Sequence, residues 1–225
     1  MIKICVVGIT GRMGQQVCNI INNSNKYCLS GGISSKSDLR ECEDVIKNSD
    51  VIIDFSNDLA LSKIIPYCEL HLKPIISGTT AVSDVTKNLI KNASQKIPFF
   101  YASNFCIAIH LMAAFIKKSS NVLHEYDVSI LDTHHKAKKD SPSGTAIFLA
   151  ENAGVGKDKI LDRRCGKIVG EHVVTFFGEK DKLQILHEAY DRSIFAEGAV
   201  RIIEWILNKK NGYFSMKDFL ESSPC

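Results

Sequence analysis

The chain opens on a β-branched run, Ile2-Lys3-Ile4-Cys5-Val6-Val7, which leads straight into Gly8-Ile9-Thr10-Gly11-Arg12-Met13-Gly14. Apolar residues at 13, 17, 20 and 21 then mark one face of a helix. Glycines at every third position between a strand and a helix restrict the fold sharply. Gly8 permits a tight turn, Gly11 lets backbone N–H groups approach a pyrophosphate at the helix N-terminus, and Gly14 lets the helix pack closely on the sheet. The spacing is GxxGxxG rather than GxGxxG. Its place in a strand–loop–helix unit predicts dinucleotide binding over a purely structural turn.

The same alternation continues for about a hundred residues. Strands are expected at Tyr27–Ile33, Val51–Phe55, Ile75–Ser77 and Pro98–Tyr101, with helices at Leu59–Cys68 and Val85–Ala93. Short apolar strands separated by amphipathic helices predict a parallel sheet covered on both faces. Past Asn104 the texture changes. A helix is expected over Cys106–Lys118, a strand over Asp127–Leu131 and a polar loop over Asp132–Pro142. Ser143 then caps a helix to about Asn152, Ile168–Phe177 and Leu183–Glu188 form an antiparallel pair, and Ser193–Asn208 forms one long amphipathic helix. The expected architecture is α/β: a Rossmann-type parallel-sheet domain (1–105 plus 193–225) and a smaller α+β domain with a mixed or antiparallel sheet (106–192).

Composition narrows the function. A formal net charge of +3 with no long basic run argues against nucleic acid. The longest apolar run, Ile107–Ile116, contains His110 and is half a membrane span, so no membrane association is expected. The eight cysteines are scattered without a CxxC pair, which reads as reduced thiols in a cytoplasmic protein. No signal peptide is expected at the start, and Cys225, being last, does not form a prenylation box.

Two clusters carry the chemistry. At the end of the second strand, Ser34, Ser35 and Lys36 stand where an NAD-binding fold places a carboxylate, and none occurs until Asp38. With Arg12 they suit a 2′-phosphate, so NADPH is the expected cofactor, with NADH as a second substrate. Phe55, Gly78, Thr79, Thr80, Ser103, Asn104 and Phe105 follow later strands and suit a nicotinamide ring. The second cluster is His134-His135-Lys136-Ala137-Lys138-Lys139-Asp140-Ser141-Pro142-Ser143-Gly144-Thr145. A solvated basic loop is the plain reading. The sharper one joins the loop to an anion site at the helix opened by Ser143, Gly144 and Thr145, with His134 or His135 as proton donor and Lys138 as a second cation. A metal is not expected, because adjacent histidines rarely share one.

These motifs resemble the dihydrodipicolinate reductase (4-hydroxy-tetrahydrodipicolinate reductase) family over most of the chain. The nucleotide loop from Gly8 to Gly14, Ile53-Asp54-Phe55-Ser56, Gly78-Thr79-Thr80, Ser103-Asn104-Phe105, His134-His135-x-x-Lys138, Pro142-Ser143-Gly144-Thr145, Gly170-Glu171-His172 and Phe195-Ala196-Glu197-Gly198-Ala199 follow the family's order. The resemblance implies reduction of a cyclic dicarboxylate by NAD(P)H in diaminopimelate/lysine biosynthesis. It implies His134 as proton donor, Lys138 acting with it, and His135, Ser143, Gly144 and Thr145 as substrate-carboxylate binders. It places Gly8, Thr10, Gly11, Arg12, Met13 and Gly14 on the cofactor.

Departures lie beside these motifs. Lys136 and Ala137 replace positions rich in histidine and arginine, Cys106-Ile107-Ala108 replaces Ser-x-Gly, and Asp191 replaces a serine. The chain is also short between Ala150 and Gly170, where the family has strands that build its tetramer. A homo-oligomer is expected, on a trimmed assembly surface. Two other readings share the glycine loop: a different two-domain Rossmann oxidoreductase on a small carboxylate, and a non-catalytic NADPH sensor. Neither has a reason to keep His134, Lys138 and Ser143–Thr145 together.

Overall fold

The computed structural model describes residues 1–222. The sequence readings that involve Cys225 lie outside them. The chain divides into two compact units, Met1–Phe105 with the segment from Ser193 onward, and Cys106–Arg192.

In the first unit, β1 (Ile2–Val7), β2 (Tyr27–Ile33), β3 (Val51–Asp54), β4 (Ile75–Ser77), β5 (Pro98–Tyr101) and β10 (Gly212–Phe214) form one parallel sheet. Its order is β10-β5-β4-β3-β1-β2. β1 therefore has β2 on one side and β3 on the other, and the winding reverses beside it. A crevice opens at such a point beyond the carboxyl ends of the strands. Residues Ile4–Val7 and Val51–Ile53 are fully buried, as strands covered on both faces must be.

The crossovers are α1 (Arg12–Asn22), α2 (Leu39–Lys47), α3 (Asp58–Leu70) and α4 (Asp84–Ala93). Side chains cap three of them: Asp38 accepts from the N–H of Glu41, Asn57 from Ala60 and Ser83 from Thr86. Helix α1 begins after Gly11, which has no side chain to offer. Its first N–H groups are thus left for a ligand. The sequence reading did not include α2, although Leu39, Cys42, Val45 and Ile46 recur at helical spacing and Asp38 with Glu41 forms a capping box.

In the second unit, β6 (Asp127–His134), β7 (Ile160–Arg164), β8 (Gly170–Phe177) and β9 (Lys182–Ala189) form a mixed sheet in the order β7-β6-β8-β9. β6 runs parallel to β7 and antiparallel to β8, and β8 is antiparallel to β9. Helices α5 (Ile107–Val122) and α6 (Gly144–Ala153) lie on the face that carries Ile130, Val174 and Phe176, all fully buried.

Two expectations change. Asp132, Thr133 and His134 belong to strand β6 and not to a loop, because they pair with Asp162, Arg163 and Arg164 of β7. The final helix is two, α7 (Ser193–Arg201) and α8 (Ile203–Leu207). At Ile202 the backbone bonds to Ala199, three residues back, which tightens the turn between them. Strand β10 and α9 (Met216–Glu221) complete the first unit.

Candidate active site

The glycine loop shows why its spacing is required. Gly8 has φ +79, which a residue with a side chain adopts only under strain. A Cβ at Gly14 would overlap the carbonyl oxygen of Gly8, so helix α1 and the loop touch backbone to backbone. Gly8, Thr10, Gly11, Ser34 and Ser35 line a cavity of about 610 Å³ beside the end of β2. Arg12, Met13, Phe55, Gly78, Thr80 and Asn104 line a second one of about 520 Å³, together with Ser103 and Phe105. Phe55 borders both. A crevice that continues from a glycine loop into a pocket of aromatic and small polar groups has the shape of a dinucleotide site.

Three expected cofactor residues stand elsewhere. Gly14 makes the close packing just described. Lys36 is exposed and lines neither cavity, while its backbone N–H donates to Ser34 Oγ at 3.2 Å. Thr79 is buried, and its hydroxyl donates to Asp54 Oδ2 at 2.8 Å.

Asp54, at the end of β3, was not among the expected site residues. It also accepts from Ser77 Oγ at 2.7 Å and from Ser56. Burial pushes this carboxyl up, against the hydrogen bonds that lower it. The network ties the ends of β3 and β4 to residues 56 and 79, beside the second cavity. Asp38 is another addition. It lines the first cavity while its carboxylate caps α2. Its signal was visible in the sequence as the first acid after β2.

In the second unit, the expected catalytic residues gather at the end of β6. His134 is buried, with Nδ1 3.0 Å from Asp132 Oδ1. Nε2 of His172, from β8, stands 3.2 Å from the same oxygen. Ser143 donates to both oxygens of Asp132, through Oγ and through its N–H, each at 2.9 Å. Burial would raise the Asp132 carboxyl, but the contacts with His134, His172 and Ser143 outweigh it and hold it well below the usual carboxylate range.

Ser143 is buried and also caps α6 through Ala146. Its polar groups are therefore committed within the protein. Gly144 is exposed, with open space where a Cβ would stand, and presents the first N–H of α6. Thr145 follows it, half-buried in the same turn.

The loop after His134 is held by its own charges. Lys138 Nζ lies 2.8 Å from Asp140 and holds that carboxyl below its ordinary value. Arg192 donates to His135 Nε2 at 3.1 Å. Desolvation and the nearby charges of Arg192, His134, Lys138 and Arg164 keep the His135 imidazole below its usual pKa. His135, Lys136, Gly166, Lys167 and Arg192 line an open cavity of about 380 Å³ with a cationic wall. Arg164, on β7, donates to the carbonyl of Asp140 at 2.6 Å and anchors the loop. Arg164 was missed because Ile160–Arg164 shows neither alternation nor turn signals, and Lys167 because it lies in the short polar turn that follows.

Asp132, His134 and His172 place their polar atoms within 4.8 Å of one another, a grouping with metal-ligand chemistry. Ser143 already donates to both carboxylate oxygens, and the Arg164 guanidinium stands 3.7 Å from Oδ2. The charge of Asp132 is thus balanced by protein groups.

Comparison with known proteins identifies the family. The family model described as "Dihydrodipicolinate reductase, N-terminus" matches residues 2–105, and that for the C-terminus matches 108–220. The 4-hydroxy-tetrahydrodipicolinate reductase of Rickettsia bellii is 34% identical, over 99% of this chain and 96% of its own length. The enzyme of that name from Zymomonas mobilis is also 34% identical, over 97% of each chain. A dipicolinate-bound dihydrodipicolinate reductase from Paenisporosarcina sp. TG-14 has the same fold, with TM-score 0.82 at 21% identity over 97% of this chain and 99% of that one. The chain therefore belongs to the dihydrodipicolinate reductase family of oxidoreductases.

Proposed function

We propose that this chain reduces 4-hydroxy-tetrahydrodipicolinate, with loss of water, to tetrahydrodipicolinate in diaminopimelate/lysine biosynthesis. The observation that carries the reading is the assembly of His134, Lys138 and the open turn at Gly144 around the end of β6. Relatives named for this reaction over nearly their full length, and the dipicolinate held by one structural neighbour, support a small dicarboxylate as substrate.

NAD(P)H supplies the hydride. The uncapped start of α1 and the glycine loop hold its pyrophosphate, and Phe55, Gly78, Thr80, Ser103, Asn104 and Phe105 take the nicotinamide. His134 donates the proton as negative charge builds on the ring, and Lys138 stabilises that charge. His135, Gly144 and Thr145 bind the carboxylates, with Ser143 shaping the turn that presents them. NADPH is the preferred cofactor in this reading, on the strength of Ser34 and Ser35 in the first cavity and of Lys36 exposed next to them in the chain. The acid at Asp38 favours NADH as well.

The chain acts as a homo-oligomer in the cytoplasm. The outer face of the second sheet, opposite α5 and α6, carries a row of Leu161, Leu131, Val173 and Leu186 in register across all four strands. Leu161 and Leu186 are 60% and 58% exposed, an apolar stripe suited to another copy. The described cysteines are free thiols, as in a reducing compartment. Among the described residues no helix is long and apolar enough to cross a membrane.

The test is oxidation of NADPH and NADH with the synthase product supplied as substrate. His134→Gln is expected to slow turnover by roughly 10²–10⁴-fold, the range for a lost general acid, and to leave cofactor affinity unchanged. A wild type that oxidises neither cofactor overturns the function. A variant that loses cofactor affinity and keeps its turnover overturns the role of His134.

A further inference from the structure

We propose that Asp132 is the positioning residue of the proton-donor site, fixing the tautomer of His134 and locking it to the mouth of α6. The inference rests on His134 as the proton donor and deepens that reading. Asp132 is fully buried and lies two residues before His134, on the same face of β6. Its side chain meets four elements. Oδ1 faces His134 on β6 at 3.0 Å and His172 on β8 at 3.2 Å, and accepts Ser143 Oγ at 2.9 Å. Oδ2 accepts the N–H of Ser143, at the start of α6, at 2.9 Å and lies 3.7 Å from Arg164 on β7.

A buried acid costs stability unless its charge is matched, so this one must have its donors in place. The consequence for His134 is chemical. A carboxylate beside Nδ1 holds a hydrogen there in the neutral ring, and Nε2 is left as the atom that gains and loses the mobile proton. Nδ1 is sealed from solvent and makes no aligned hydrogen bond, so the Asp132 carboxylate 3.0 Å away is the acceptor within reach of a hydrogen placed there. Nε2 lies over Gly170, where a Cβ would stand only 3.1 Å from it. In turnover the imidazolium gives its Nε2 proton to the substrate, becomes the neutral Nδ1–H form, and regains a proton from solvent. The second consequence is geometric. Ser143 sets the first turn of α6, so one carboxylate fixes both the acid and the N–H groups that meet the substrate.

The groups facing His134 are Asp132 on its own strand, His172 on β8, and Arg164 on β7. His135, Lys138 and Asp140 follow in the loop. A pH profile therefore reports the cluster and not one residue.

The primary test is the long-range ¹H–¹⁵N spectrum of the wild-type imidazoles. Neutral His134 should carry its proton on Nδ1; a proton on Nε2 overturns the proposal whatever the activity. In Asp132→Asn, kcat is expected to fall about 10- to 100-fold, the range for a lost carboxylate partner of a ligating histidine, with KM raised because one Ser143 bond at the start of α6 is lost, cofactor affinity unchanged and the acid limb of the pH profile displaced. A fall in KM-dependent binding alone, with kcat kept, overturns it. His172→Gln leaves both Ser143 bonds in place and guards against a variant that does not fold; His134 should keep its tautomer there. Zinc taken up stoichiometrically by the wild type and lost from Asp132→Asn overturns the proposal in favour of a metal site. If His134→Gln keeps full turnover the donor role fails, while the tautomer measurement still judges Asp132 by itself.

Discussion

Lys36 and Asp38 stand two residues apart and favour opposite cofactors. A cation near the ribose attracts a 2′-phosphate, and a carboxylate accepts from a free 2′-hydroxyl and repels a phosphate. Asp38 lines the first cavity, whereas Lys36 points its charge into solvent near it. Asp38→Asn keeps a good helix cap, so it isolates the charge. NADPH affinity is expected to rise relative to NADH by roughly 2- to 5-fold in this variant and to fall by a similar factor in Lys36→Glu, as for partly screened charges. Fluorescence titration with both cofactors measures this; equal shifts for the two would remove the 2′-phosphate reading. At this scale the sequence revealed residue types better than roles. Ser143 and Thr79 look like ligand contacts in a motif, yet both donate to buried carboxylates. Nothing in one dimension distinguishes a hydroxyl that meets a ligand from one that satisfies Asp54 or Asp132.

The glycine loop and helix α1 form the element most fully legible in the sequence. The strand, the turn and the helix are local in the chain, and each glycine has its own steric reason. Gly14→Ala puts a methyl group against the Gly8 carbonyl. A cost of about 1–3 kcal/mol, the usual range for overpacking, is expected in denaturant unfolding, together with weaker cofactor binding. Unchanged stability and affinity would mean that α1 does not need this close approach. Strand β6 is the opposite case. Its last three residues, Asp132 to His134, read as the start of a polar loop, because charged and imidazole side chains hide strand character. Pairing with β7 and β8 extends the strand, and β7 itself carried no sequence signal. Likewise, the break at Ile202 has no proline or glycine to announce it.

For the whole molecule, the two compact units differ: the first holds the crevice beside the glycine loop, the second the cluster of Asp132, His134 and His172, a cationic cavity and a sheet face with an exposed apolar row. That face is the one proposed above for self-association. Leu186→Lys places a charge in its apolar row and is expected to shift the assembly to a smaller species by light scattering. The helix-packed face of the sheet is left intact, so the fold should persist. A wild type that is monomeric at assay concentration would remove this reading.

The sequence by itself determined the alternation of strand and helix, the glycine loop and the order of motifs that place the chain in its family. These depend on neighbours in the chain and on periodicity, which a linear pattern records. Only the tertiary structure decided that Asp132, His134, Ser143, Arg164 and His172 meet around one buried carboxylate. The five come from three strands and a helix start, up to forty residues apart. Sheet register brings them together, and register is set by which faces are buried rather than by any local signal.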